Sequence, residues 1–223
     1  MQTVAILPVK RFASAKRRLD GALASGSRRA LAEAMFADVL TALRRVDAID
    51  QILVVSADPG AQRIAEGYGV RAIDDPAESG QDQAVVRGAG VARELGAAQV
   101  LCLAGDCPLM DPLELDTLLG KPRTAERFVV IVPDRHGTGT NGLLLSPPDA
   151  LEPRYGHGSF ARHLELAQTA GVPAEVAEIA SIGLDVDTPD DLTALQERLA
   201  SSRGGAAHTR GMLHQLQRTS ATR

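Results

Sequence analysis

The chain has 223 residues, 44% of them hydrophobic but only 3% aromatic and none tryptophan, so its core must be built from Ala, Val, Leu and Ile. Such a length suits one domain, or one domain with a tail. The formal net charge is −4, yet residues 201–223 hold four arginines and no Asp or Glu, which leaves −8 on residues 1–200 and argues against a nucleic-acid-binding surface. No apolar run approaches the length of about 18 residues that a membrane helix needs. Gln2–Val9 is too short, and too soon followed by charge, for a signal peptide. Two cysteines, Cys102 and Cys107, cannot complete a structural zinc site. These features predict a reduced, cytoplasmic chain with Cys102 as a buried thiol.

Thr3–Val9 reads as a first buried strand. It runs into Lys10, Arg11, Lys16, Arg17 and Arg18, five cations within nine residues. This loop lacks the glycines of a Walker motif. It is either a solvated basic loop or a cradle for a triphosphate, with Lys10 and Lys16 closest. Leu31, Met35, Val39, Leu43 and Val46 recur at helical spacing and predict a helix over 27–46 with that stripe in the core. A strand over 50–56, a helix over 61–68 and a short strand over 70–73 follow. A polar loop over 76–82 leads into a helix over 83–95, where Gln81, Gln83 or free backbone groups could read a base. Strand–helix–strand alternation predicts right-handed parallel crossovers, hence an α/β fold with a mostly parallel sheet.

Val100–Leu103 is continuously apolar, as in a central strand buried on both faces, and breaks at Gly105-Asp106-Cys107-Pro108. Asp106 is thereby set just past the carboxyl end of a strand, the edge where open α/β sheets bind ligands. Asp111-Pro112 opens a short helix. A strand over 127–134 precedes Gly137-Thr138-Gly139-Thr140-Asn141, a loop whose free N–H groups and hydroxyls suit an anion. Leu143–Ser146 is expected to be a strand. Gly156, Gly158 and Ser159 precede a helix over 160–170, and with Arg162 or His163 they form a second anion-binding set. A strand over 174–179 follows. Asp185 and Asp187 share one face at strand spacing, while Thr188, Pro189 and Asp191 form a helix start. Asp185 and Asp187 are the best partners for Asp106 around a cation. Residues 201–223 are expected to be a disordered basic tail.

Taken together and in this order, the cationic first loop, Asp106, Gly137–Asn141, Gly156-His157-Gly158-Ser159-Phe160 and Asp185-Val186-Asp187-Thr188-Pro189 resemble the 2-phospho-L-lactate and phosphoenolpyruvate guanylyltransferases of coenzyme F420 biosynthesis. The resemblance covers residues 1 to about 200 and leaves the tail outside. It implies a three-layer, Rossmann-like nucleotidyltransferase fold and transfer of GMP from GTP to the phosphate of a three-carbon acid, which would be phosphoenolpyruvate, 2-phospho-L-lactate or 3-phospho-D-glycerate. Carried over by motif, Asp106 and Asp185 would hold Mg2+, with Asp187 competing for the second place. Thr140, Gly156 and Ser159 would hold the acid, and Lys10 and Lys16 would face the triphosphate. A downstream transferase of the same pathway is the implied partner, and a homodimer stays open. The alternatives are a molybdopterin or sugar-phosphate nucleotidyltransferase, whose glycine-rich first loop is missing here, and a non-catalytic nucleotide-binding module.

Overall fold

A computed structural model describes residues 2–202 and 204–221. Seven strands form one sheet: β1 (Thr3–Pro8), β2 (Gln51–Ser56), β3 (Arg71–Asp74), β4 (Gln99–Leu103), β5 (Phe128–Pro133), β6 (Thr140–Ser146) and β7 (Ala174–Val176). Their spatial order is β3-β2-β1-β4-β6-β5-β7. All pairings are parallel except those of β6, which runs against both β4 and β5. The start of β6 therefore lies at the same edge as the carboxyl ends of β1 to β4.

The continuous apolar runs are strands buried on both faces. Along β1, Ala5 and Leu7 enter one core while Val4 and Ile6 enter the other. The first core is covered by α1 (Ser25–Leu43), α2 (Pro59–Gly67) and α4 (Pro112–Gly120), the second by α3 (Gln81–Glu94) and α5 (Ser159–Thr169). Gly88 lets α3 lie close on the sheet, because a Cβ there would stand 2.7 Å from the Ile6 side chain. The helix stripe is buried as expected: Leu31, Met35, Val39, Leu43 and Val46 are all core. Helix starts follow the local chemistry, with Asp58, Asp111 and the Thr188–Asp191 capping box each placed before a proline. The expected cap at Ser27 is replaced by an earlier start, with no side-chain cap.

The expectation for the tail is overturned. Residues Ala207–Ala221 form α7, which packs beside α1 and α6 (Pro189–Ser201). Leu213 and Ala206 are buried in a third cluster with Leu31, Met35, Leu195 and Leu199. The Asp38 carboxylate of α1 accepts from the N–H groups of His208 (3.0 Å) and Thr209 (2.7 Å), satisfying donors at the start of α7. Composition pointed to disorder because the stabilising contacts are made by a few spaced side chains against distant helices. Arg203, Thr222 and Arg223 of that segment lie outside the described residues.

Candidate active site

A cleft of about 630 Å³ runs along the carboxyl edge of the sheet. It is walled by the loops after β1, β3 and β4 and by the start of β6, together with Tyr155–Ser159 and Asp185–Asp187. From β3 to β6 is four strand steps. At about 4.8 Å per step the cleft spans roughly 19 Å, room for a nucleotide and a small acid end to end.

The middle of the cleft is a charge cluster. Lys16 Nζ is hydrogen-bonded to Asp106 and, at 3.0 Å, to Asp187. The Lys16 side chain is only 5% exposed. Burial works against its charge, but the two carboxylates outweigh that and raise its pKa above the ordinary lysine value. Lys16 therefore does not reach freely toward a triphosphate, as the sequence suggested. Lys10, exposed and lining the same cleft, has no acidic partner among the described residues. The loop carrying both lysines is pinned in place. Phe12 N donates to Asp58 (2.8 Å), and the Ser56 hydroxyl donates to Val9 O (2.7 Å).

Residues 184–187 belong to no helix or strand. Leu184 and Val186 are buried, and Asp185 and Asp187 line the cleft, so the alternation read from sequence holds without a ladder. Asp185 differs from Asp187 in its surroundings. Its Oδ1 accepts from Asn141 Nδ2 (3.0 Å), and among the described residues no lysine or arginine pairs with it. Burial first, then the neighbouring Asp106, push its pKa up to about 6. Asn141 also donates to Ile182 O (2.9 Å), so it anchors the strip that carries Asp185. The Asn141 amide is spent on this anchoring.

Hard carboxylate oxygens with uncompensated charge at Asp185 fit a divalent cation such as magnesium by donor chemistry. Among the described residues, no three His, Cys, Asp or Glu side chains stand together in ligand geometry. Lys16 takes the place between Asp106 and Asp187.

The two anion loops read from the sequence differ. The Gly137–Gly139 loop is filled by its own carboxylate: Asp134 accepts from the N–H groups of His136 (3.1 Å) and Thr138 (2.9 Å). Thr140 is not in that loop but is the first residue of β6, buried and facing the cleft. The loop before α5 is open. Gly156 and Gly158 adopt positive φ, of 97° and 74°, which glycine alone takes without strain. Arg162 draws the carbonyls of Arg154, Tyr155 and His157 away from the cleft, at 3.1, 3.0 and 2.9 Å. The N–H groups of Gly156, His157 and Gly158 meet no protein acceptor among the described residues. Gly156, His157, Ser159 and Thr140 line this end of the cleft, whereas Arg162 and His163 stand behind it. The expectation that Arg162 or His163 contacts the anion is thus corrected, since both hold the loop's backbone.

The opposite end holds a residue that sequence reasoning passed over. Asp75 is 5% exposed, follows β3 and lines the cleft beside Gly80 and Gln81. The Ser79 hydroxyl donates to its Oδ1 (2.9 Å). The sequence signal is an acidic pair, Asp74-Asp75, at a strand end, between the strand expected over 70–73 and the loop expected over 76–82. Gln81 lines the cleft, but Gln83 is exposed outside it.

This sheet order, with a cleft at its carboxyl edge, is that of the nucleotidyltransferase fold. Solved structures agree on the fold. A nucleotidyl transferase from Methanothermobacter superposes with a TM-score of 0.66 at 17% identity, covering 90% of this chain and 99% of that one. A cytidylyltransferase from Leptospira borgpetersenii gives 0.62 at 13% identity over 99% and 96% of the two chains. The family model described as "Guanylyl transferase CofC like" matches residues 3–219, and the chain belongs to that family. The match includes most of the segment that the sequence reading left outside. The chain is similar to the phosphoenolpyruvate guanylyltransferase of Conexibacter woesei, 68% identical over 98% of both proteins. It is also similar to the 2-phospho-L-lactate guanylyltransferase of Methanothermobacter thermautotrophicus, 32% identical over 98% of this chain and 93% of the other.

Proposed function

We propose that this chain transfers GMP from GTP to the phosphate of phosphoenolpyruvate, releasing diphosphate, as a step toward coenzyme F420. The substrate assignment is carried by the 68% identity to a phosphoenolpyruvate guanylyltransferase along nearly the whole chain. The order of groups along the cleft supports the mechanism. The base lies at the β3 end against Asp75, the triphosphate crosses Lys10 and the aspartates, and the acid rests on Thr140, Ser159 and the N–H groups of Gly156–Gly158.

The attacking group is a phosphate oxygen, already anionic near neutral pH, so no general base is required. The barrier is the approach of two anions. Lys10 and the backbone cradle offset part of that repulsion and orient the acid for in-line attack on the α-phosphorus. Asp106 and Asp185 would hold magnesium, which when bound screens the remaining charge. The product joins two phosphates in an anhydride, and a downstream transferase that consumes it is the expected partner.

The test is diphosphate release from GTP and Mg2+ with phosphoenolpyruvate, 2-phospho-L-lactate or 3-phospho-D-glycerate, with guanylylated products read by mass. Turnover is expected with phosphoenolpyruvate, falling at least about 100-fold in Asp106→Ala. No product with any of the three acids, even with a downstream enzyme drawing the reaction forward, would remove this reading.

A further inference from the structure

His163 is fully buried one turn into α5, behind the acid end of the cleft. Both ring nitrogens are engaged. Arg154 N lies 2.9 Å from Nε2. A backbone N–H can only donate, so Nε2 must present a lone pair. The proton of the neutral ring is then on Nδ1. The 3.0 Å contact between Nδ1 and Thr140 Oγ1 is therefore a donation from the ring to the hydroxyl. Burial and the nearby Arg162 keep the ring neutral, with its pKa lowered to about 4 against an opposing pull from Asp82.

This has a consequence for the cleft. Thr140 Oγ1 accepts from the ring, so its own proton is not drawn inward. Ser159 Oγ, which also lines the cleft, donates to Thr140 Oγ1 (3.3 Å). The Thr140 hydroxyl thus accepts from both neighbours, and its own proton is left for a ligand. The other tautomer would reverse this: Thr140 would donate to the ring and turn lone pairs toward the ligand, repelling an anion.

We propose that His163 is a positioning residue, locked by the Arg154 N–H in its Nδ1-protonated form, that makes Thr140 a donor to the anionic acid. The proposal rests on the reading of these hydroxyls as the acid site.

Two measurements test it. In 15N-histidine-labelled protein at pH 7, long-range proton–nitrogen spectra should show His163 Nδ1 protonated and Nε2 bare. The opposite tautomer overturns the proposal. In steady-state assays His163→Asn keeps an amide N–H near the Nδ1 position, and His163→Gln offers its amide near the Nε2 position instead. His163→Gln should raise KM for phosphoenolpyruvate about tenfold or more, the weight of a hydrogen bond to a charged group. KM for GTP should stay within about twofold in both variants, and His163→Asn should retain most acid affinity. Equal losses in the two variants, with equally lowered melting temperatures, would mark a merely structural role and overturn the proposal. Thr140→Val separates the two ideas. If it raises the acid KM while His163→Gln does not, only the role of His163 fails. If it leaves the acid KM unchanged, the site reading fails with it.

Discussion

On the proposed function, Asp75 is the carboxylate that meets the base. Guanine presents two parallel donors, N1–H and the N2 amino group, and a carboxylate is the side chain that accepts both. Adenine and cytosine each set a ring acceptor beside their amino group, which the same carboxylate repels. Xanthine replaces the amino group with a carbonyl, which an amide side chain matches. Asp75→Asn should therefore raise KM for GTP by about tenfold to 100-fold and improve turnover of xanthosine triphosphate over wild type. A variant that prefers GTP as strongly as wild type would show that Asp75 does not read the base. His163 governs a different measurement. Its folded pKa lies near 4, below the ordinary value of 6.5. The unfolded chain takes up a proton first as pH falls, so stability is lost from about pH 6.5 downward toward pH 4. The shift is worth on the order of 3 kcal/mol by the lower end of that window. Denaturant midpoints at pH 7 and 4.5 should diverge more in wild type than in His163→Asn. Parallel losses would show that other groups drive acid unfolding.

Among the elements, the least expected is α7. Its side of the contact is sparse: Leu213 and Ala206 are buried, with Met212 and Leu216 partly so. Asp38 is buried on α1 and exists in this setting to cap α7. Leu213→Ala should cost about 2 to 4 kcal/mol, as for other buried leucines, and Asp38→Ala about 1 to 2 kcal/mol through the lost cap. Both are read from urea unfolding. Midpoints unchanged from wild type would mean that α7 does not support the domain. The first loop depends on tertiary contacts in the same way. It has no glycines to define a phosphate-binding turn, and its shape is held by Asp58 and Ser56 of the next strand–helix unit.

At the scale of the molecule, function follows from strand order. The antiparallel β6 brings Thr140 to the edge already holding Asp106, and β3 at the other side carries Asp75. On the proposed function the two substrates meet in the middle, where Lys16 gathers Asp106 and Asp187. Asp75 and Ser159 lie at opposite ends of a roughly 19 Å span. Their substitutions should act independently. In Asp75→Asn/Ser159→Ala, the changes in kcat/KM should add within about 0.5 kcal/mol of the single variants. Strong non-additivity would mean that both residues serve one ligand.

The sequence by itself determined the strands, because runs such as Val100–Leu103 can be stable only with both faces covered, and it determined Asp106 as a strand-end carboxylate. It also determined the alternation of Asp185 and Asp187 with buried neighbours, and the family. Local chemistry is enough for these, since each depends on residues a few positions apart. Only the tertiary structure decided that Lys16 is already paired, that Asp134 fills the first glycine loop, and that Arg162 and His163 shape the second from behind. It alone docked α7 and placed Asp75 in the cleft. In each case the deciding partner comes from a different element or from across a folded loop. Whether a charged or polar group meets solvent, a ligand or a neighbour is fixed by packing in space, and the period of the sequence carries no record of that.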